Sequence, residues 1–432
     1  MIPMSNLGVL KVVIISKSTM KCIINTVVCW GKKGSLLKMK KATAEALLVK
    51  GILSCRQAFI GPEVLHIDLT NWCNFNCIAC WCRSPLLNDK AMPDWEKKLI
   101  LPLEMIKGVI DDIAQMGGLR QVKLVGGGEP FMHPDILGIV AYIKNKDREI
   151  EIDINTNFSL VNKSTAEKLL GLGVDSLTVS IWAGSGPVYA AVHPNQKEET
   201  FYQIKDVLQF ITGQKHARGL LTPRIIIHDV IFNLNYKDLG KMIEFALDVG
   251  ADSIQIVPVD PVKDRTESLL LNDTQRKELL DNLDIIKQRY KSGTFCYTAE
   301  DKRSVTLSDF DNFMHRIERL NIVHGAYDEE VVVSVPCYVG WLFARIMATG
   351  DVVPCCKGHR MPMGNIYKNR FKDIWFSPTY DEFRNNGLQL SKNHPYFSRM
   401  GNSAQVKTGC YNCDNLWQNI PMHKRMTLRS LF

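Results

Sequence analysis

Between residues 64 and 258, short β-branched runs alternate with longer stretches of helical period, and this rhythm constrains the fold more than any other feature of the 432-residue chain. Six strands are predicted, at Val64–Leu69, Gln121–Val125, Glu149–Asn155, Ser176–Trp182, Ile225–Phe232 and Ser253–Val257. The first intervening helix carries Ile106, Val109, Ile110 and Ile113 on one face and meets Gly117 and Gly118 as its stop. Further helices are expected near 135–144, 163–170, 201–211 and 237–248. Crossovers of this length require parallel strands with right-handed connections, which leaves an open doubly wound sheet or a barrel. The motifs described below fall at C-terminal strand ends, the catalytic face of a β/α barrel, and so favour the barrel.

After residue 258 the alternation stops. A helix from Asp273 to Tyr290, with Leu279, Leu283, Ile286 and Tyr290 at helical spacing, and a second one N-capped by Ser308 make residues 261–335 a helical bridge. Residues 336–432, punctuated by Cys, Gly and Pro, read as a small second domain organised by metal rather than by a large core. Residues 1–60 are an N-terminal extension, partly helical, ahead of the core at 61–260. The composition, 46% hydrophobic and 23% charged, excludes wholesale disorder and fibrous repeats. Lysines interrupt the apolar stretches within about a dozen residues, so no membrane span is expected. Residues 7–30 lack the basic start of a secretory signal, which predicts a cytoplasmic protein. Part of the formal charge of +8 comes from Lys32, Lys33, Lys38, Lys40 and Lys41, a solvated helix face or else a docking patch for an acidic partner.

Thirteen cysteines are many for such a chain, and an odd number argues against a complete disulfide framework, so soft-metal chemistry is the better reading. Directly after the first strand, Cys73, Cys77 and Cys80 stand in a C-x3-C-x2-C spacing within one loop. Three such thiolates can hold three irons of a [4Fe–4S] cluster and leave the fourth open to a ligand. A zinc site completed by Cys82 or His66 is the rival that counting alone leaves open. The second strand ends in Gly126-Gly127-Gly128-Glu129-Pro130, whose glycines allow backbone to approach a ligand or simply make a tight turn.

Together these two segments resemble the radical S-adenosylmethionine (radical SAM) enzymes, whose core is a partial (β/α)6 barrel. The resemblance implies that Cys73, Cys77 and Cys80 hold a [4Fe–4S] cluster whose open iron chelates the amino and carboxylate groups of S-adenosylmethionine. It implies that Gly127, Gly128, Glu129 and Pro130 engage that amino group, that Thr156, Asn157 and Ser180 meet the ribose or carboxylate, and that Phe75 lies beside the adenine. Asn233 and Asn235 are weaker candidates. Farther on, Cys337, Gly350 to Cys356, Gly364-Asn365-Ile366, Ile374-Trp375 and Cys410-x2-Cys413 resemble the SPASM or twitch extension of that family. By this likeness Cys337, Cys355, Cys410 and Cys413 ligate one auxiliary [4Fe–4S] cluster, with Cys356 as the alternative to Cys355. A two-cluster version needs cysteines where this chain has Asn419 and His423, so one auxiliary cluster is expected, with a four-cysteine zinc site as its rival.

The implied reaction is reductive cleavage of S-adenosylmethionine to methionine and a 5′-deoxyadenosyl radical that removes a hydrogen atom from substrate, with an electron donor such as flavodoxin or ferredoxin. Oxidative modification of a ribosomally made peptide, or of a small polar metabolite such as a sugar or aminocyclitol, is expected. A redox-neutral epimerase or isomerase using Cys82 or Cys356 as hydrogen donor is the second enzymatic reading; otherwise Cys82 is a packed bystander. No catalytic base is assigned, and His193 reads as a surface loop histidine. A zinc-bound regulatory or nucleic-acid-binding protein is the alternative of another class, although neither group of cysteines has a zinc-finger pattern and nucleic acid is not the expected partner.

Overall fold

The computed structural model describes residues 41–291, 293–403 and 405–429. Its centre is a set of parallel strands in chain order: β1 (Val64–Asp68), β2 (Gln121–Val125), β3 (Glu151–Thr156), β4 (Ser176–Ser180), β5 (Arg224–Ile231) and β6 (Ser253–Pro258). Residues alternate between the two faces of each strand. One set is apolar and almost fully buried, including Leu65, Ile67, Val122, Leu124, Ile152, Ile154, Leu177, Val179, Ile225, Ile227, Ile254 and Ile256, and it shares a core with the helix residues Ile106, Val109, Ile110 and Ile113. The alternate set carries the polar residues His66 and Asp68 on β1, Lys123 on β2, Asp153 and Asn155 on β3, Thr178 and Ser180 on β4, His228 on β5 and Gln255 on β6, interspersed with Val64, Val125, Ile226, Val230 and Val257. A closed eight-stranded barrel packs its interior with bulky branched side chains. This interior face instead carries ion pairs and hydrogen bonds such as Lys123 to Asp153 at 2.7 Å and Thr178 to Asp153 at 2.9 Å.

The crossovers are the helices Leu103–Met116, Ile136–Lys146, Lys163–Leu172, Glu198–Arg218 and Leu239–Asp248. The first ends where the sequence places its stop, with Gly117 at φ 71° donating its N–H to the Ile113 carbonyl at 2.9 Å.

The flanks depart from expectation. The segment read as a helical bridge also contains a hairpin, β7 (Tyr290–Lys291) and β8 (Cys296–Thr298), and a strand β9 (Ser304–Ser308) that pairs parallel with β6. Its first helix spans Asp273–Lys287, capped by a reciprocal Asn272–Gln275 box, and stops short of Tyr290, which starts the hairpin. Ser308 closes β9 rather than capping a helix; Asp309, at φ 63°, precedes the helix Phe310–Arg319.

On the other side β10 (Phe343–Ile346) pairs parallel with β1, followed by the short antiparallel strands β11 (Asp351–Val353) and β12 (Gly364–Asn365). The sheet therefore runs without a break from the barrel into the cysteine-rich region across residue 336. The Arg345 guanidinium of β10 grips Asp68 of β1 through two hydrogen bonds, at 2.9 and 2.8 Å, with both side chains buried. The described part of the N-terminal extension is a helix, Lys41–Lys50, and the turn after it. Indole N–H groups of Trp341 and Trp375 bind the carbonyls of Gln57 and Ile60 at 3.0 and 2.7 Å and pin this segment to the C-terminal region. Cys22, Cys29 and the lysines at 32, 33, 38 and 40 lie outside the described residues.

Candidate functional site

The loop after β1 is built by its neighbours. Asn71 donates its N–H to the Leu99 carbonyl at 2.9 Å and its amide to the Glu96 carbonyl at 3.1 Å. Arg83 binds the carbonyls of Asn71 and Lys97. Between these anchors Cys73, Cys77 and Cys80 are half-buried, with the Phe75 N–H donating to the Cys73 sulfur at 3.4 Å and the Cys80 N–H to the Cys77 carbonyl at 3.0 Å. Burial pushes the Cys73 thiol up to about 12, and burial with the neighbouring Cys80 and Cys73 sulfurs raises Cys77 as well. Cys80 goes the other way, first because of its hydrogen bond with the Cys82 thiol. Bringing thiolates together here is costly without a cation, which suits a site whose ligand is itself positively charged iron.

The glycine turn at the end of β2 packs on the backbone entering this loop. A Cβ on Gly126 would stand 2.6 Å from the Thr70 carbonyl oxygen, one on Gly127 2.6 Å from Asn71 Oδ1, and one on Gly128 1.9 Å from the Trp72 carbonyl oxygen. Side chains are thus excluded by backbone at Gly126 and Gly128 and by the Asn71 side chain at Gly127 before any ligand is considered. The next residue, Glu129, donates its own N–H to the Trp72 carbonyl at 2.6 Å. Its buried carboxylate accepts from the Thr156 hydroxyl at 2.5 Å, the Phe131 N–H at 3.1 Å and the Asn157 N–H at 2.7 Å. Burial nonetheless lifts its pKa to about 7. Pro130 follows as the start of a single 3-10 turn.

Asn157 reaches back to the cysteine loop, its amide donating to Asn74 at 3.0 Å. The structure thereby joins Cys73, Cys77 and Cys80, the Gly127–Pro130 turn, Thr156 and Asn157 into one hydrogen-bonded site at the ends of β1, β2 and β3. Phe75 is buried at its edge, 5.3 Å from the His193 ring and 6.4 Å from Tyr189. Ser180, one strand farther, donates its hydroxyl to Asn155 at 3.4 Å. Asn233 and Asn235 turn to local backbone: Asn233 donates to the Ser268 carbonyl at 2.7 Å, and Asn235 to those of Trp182 and Val230 at 2.9 and 2.8 Å.

His193 is not on the surface. It is 1% exposed, donates from Nε2 to the Ile181 carbonyl at 3.0 Å and lies among Phe75, Tyr189 and Trp182, and burial drives its pKa down to about 4. Of the two residues named as completing a zinc site, Cys82 has its sulfur 3.6 Å from that of Cys80, while His66 faces Cys356 at 4.0 Å instead. Among the described residues no three His, Cys, Asp or Glu side chains stand close enough to enclose one metal ion.

The second set is assembled from distant pieces. Cys337 is held by its N–H to the Gly387 carbonyl at 2.8 Å and Cys413 by its N–H to Asp328 at 3.2 Å. Cys337, Cys355, Cys410 and Cys413 line one cavity. Burial and the neighbouring thiols raise Cys355 and Cys413, and burial with Cys337 takes Cys410 to about 12. Cys356 does not line this cavity and turns toward His66. Asn419 accepts from the Tyr338 N–H at 2.7 Å, and His423 meets the Tyr338 hydroxyl at 3.1 Å, so both are engaged in packing. Lys357, unnoticed in the sequence, lines the same cavity, ion-pairs with Asp260 just after β6 and has Asp414 at 3.9 Å. Nothing in a lone lysine after two cysteines signals a partner almost a hundred residues earlier.

A family model described as the radical SAM superfamily matches residues 67–246, and one described as an iron-sulfur cluster-binding domain, SPASM, matches residues 337–414. The tungsten-containing aldehyde ferredoxin oxidoreductase cofactor-modifying protein of Pyrococcus furiosus is 24% identical over 380 residues, 83% of this chain and 93% of its own. Streptococcus suis SuiB bound to precursor peptide SuiA superposes with a TM-score of 0.56 at 16% identity, covering 91% of this chain and 84% of SuiB. Native anSMEcpe with bound AdoMet and Cp18Cys peptide gives 0.54 at 15% identity, covering 86% of this chain and 98% of that one. Among the described residues no helix is long and apolar enough to cross a membrane. At these identities the two structures share the fold alone, but the two matched families, carried by the same cysteine loops and laid on one continuous sheet, make this chain a radical SAM enzyme with a C-terminal SPASM iron–sulfur domain.

Proposed function

We propose that the chain catalyses a radical oxidation of a polar substrate, most simply a ribosomally made peptide, bound in the polar interior of the barrel between the two cysteine sets. In this reading Cys73, Cys77 and Cys80 hold the cluster that binds S-adenosylmethionine, and Cys337, Cys355, Cys410 and Cys413 hold a single auxiliary [4Fe–4S] cluster. When bound, the first supplies the electron that cleaves S-adenosylmethionine to methionine and a 5′-deoxyadenosyl radical, and the second accepts an electron from the substrate side. Gly127–Pro130, with Thr156, Asn157 and Ser180, orient the cofactor's amino, carboxylate and ribose groups, and Phe75 backs its adenine.

The observation that carries this reading is the approach of Cys356 to His66 at 4.0 Å, because the four-thiol cavity then begins one residue from the barrel interior. Removing one hydrogen atom and then one electron and one proton leaves the substrate two electrons more oxidised, with 5′-deoxyadenosine as the second product. An electron donor such as flavodoxin or ferredoxin closes the cycle. Two neighbours in fold, SuiB and anSMEcpe, were crystallised with peptides, which supports a peptide substrate. The row His66, Lys123, Asn155, Ser180, His228 and Gln255 supports any substrate rich in hydrogen-bonding groups, a sugar or aminocyclitol included.

Anaerobically prepared enzyme, reduced and supplied with S-adenosylmethionine and candidate peptides or metabolites, should release 5′-deoxyadenosine and return product lighter by two hydrogens. Zinc in place of iron and no 5′-deoxyadenosine would sink the reading. A second reading, redox-neutral isomerisation, draws on the same Cys356 thiol as hydrogen donor to the substrate. It requires product of unchanged mass, solvent deuterium on carbon, and loss of that deuterium in C356A.

A further inference from the structure

The first cysteine loop holds a fourth thiol that the ligation proposed above does not use. Cys82 is 3% exposed, and its sulfur lies 3.6 Å from the Cys80 sulfur and 3.3 Å from the Gly127 carbonyl oxygen. Its backbone is fixed independently of that side chain: the Cys82 carbonyl accepts from Met92 N–H at 2.9 Å, and Arg83 beside it is bound to the Asn71 and Lys97 carbonyls. The thiol is therefore delivered to a point between a candidate cluster ligand and the glycine turn, where it has one hydrogen and two acceptors. A cysteine bound to iron is a thiolate, which only accepts, and a charged acceptor wins over a neutral carbonyl.

We infer that Cys82 is a positioning residue for the barrel cluster: its S–H donates to the sulfur of Cys80 and raises the reduction potential of the cluster. This rests on Cys80 being a ligand, as proposed above. The physical cause is that a donor to a ligand sulfur draws electron density from it and stabilises the more negative, reduced cluster over the oxidised one. The chemistry demands a strongly reducing cluster, yet one that a biological donor can still reduce, and a single buried S–H donor moves the potential toward that donor.

The test uses the full chain, reconstituted anaerobically with iron and sulfide, as wild type, C82A, C82V, C82S and C80A. Iron per chain is measured, and the midpoint potential of the barrel cluster is read by spin-resonance titration as the signal that C80A lacks. C82A and C82V, which remove the donor with and without loss of volume, should keep wild-type iron and titrate at more negative potential. C82S, which retains a hydroxyl donor, should fall between them and wild type. Potentials equal to wild type in C82A and C82V would make Cys82 a bystander and overturn the inference. Iron reduced to the C80A level in all three variants would overturn it too, by making Cys82 a ligand or a folding element. A wild-type chain that shows no signal missing from C80A would instead sink the cluster assignment, which is a separate failure.

Discussion

The two cysteine sets differ in how the chain brings them together. Cys73, Cys77 and Cys80 fall within eight consecutive positions of one loop, so their proximity is covalent and the fold has only to aim them, which it does with the Asn71 and Arg83 anchors and the glycine turn. Cys337, Cys355, Cys410 and Cys413 meet only because Gly387, Asp328 and the β10 pairing with β1 hold three separate segments around one cavity. A local set survives damage elsewhere, whereas an assembled set depends on tertiary structure and in turn closes long loops. The first set is therefore suited to chemistry that must keep a position open, and the second to a fully enclosed site.

The largest break in this comparison is to delete the local set. Replacing Cys73, Cys77 and Cys80 together by alanine should remove about four irons per chain and abolish 5′-deoxyadenosine formation, while the far-ultraviolet circular dichroism stays unchanged because the loop's backbone anchors remain. Deleting part of the assembled set separates the two roles. C410A/C413A should also lose about four irons, but reduced enzyme should still cleave S-adenosylmethionine while substrate oxidation disappears. Loss of both activities would mean that the sites cannot be treated apart. Loss of eight irons would mean that the assembled set supports the local one.

The contrast also explains what could be read from the chain. The six central strands are legible because short aliphatic runs, buried on one face and carrying polar residues on the other, recur between helical stretches, and the cysteine loop is legible because ligand spacing is itself a sequence property. β10 is hidden, since an arginine in Phe343-Ala344-Arg345-Ile346 looks wrong for a buried strand until Asp68, 277 residues earlier, is placed beside it. β9 is hidden by its composition, since only Val305 and Leu307 of Ser304–Ser308 are apolar and buried among serines and a threonine. His193, next to a proline, has the look of a turn, and only the rings of Phe75, Tyr189 and Trp182 from other parts of the chain bury it. What is missed in each case is a partner distant in sequence.

The Arg345–Asp68 pair offers a sharper probe of how far the cysteine-rich region is a unit of its own. Both residues are buried, Arg345 at 7% and Asp68 at 1% exposure, and the pair crosses from β10 to β1. R345M would leave the Asp68 carboxylate buried without its cation, and removing one partner of such a pair costs about 3–5 kcal/mol. Chemical denaturation should show that loss as one cooperative shift of the whole chain. R345M/D68L, which removes both charges, should recover most of it. A separate early transition confined to the C-terminal region would instead favour two independently folding domains.

The smallest expected effect concerns Glu129, the carboxylate that links the local set to β3. A carboxylate offers about four lone-pair sites, and the Thr156 hydroxyl and the N–H groups of Phe131 and Asn157 occupy three. In the proposed reading the remaining site takes the amino group of S-adenosylmethionine, and protonation would fill it. Because burial raises the Glu129 pKa to about 7, well above its ordinary value, the buried acid contributes stability at low pH that is lost as pH rises through about 7, while its capacity to accept from a ligand changes in the opposite sense. Affinity for S-adenosylmethionine, measured by calorimetry on the reconstituted enzyme, should thus weaken about tenfold between pH 8 and pH 6. E129Q presents an amide where one N–H donor now finds an oxygen, so it should bind more weakly at pH 8 and lose most of that pH dependence. An equal slope in E129Q and wild type would show that the titration belongs to the ligand's own amino group, and would remove Glu129 from the contacts that distinguish the local set from the assembled one.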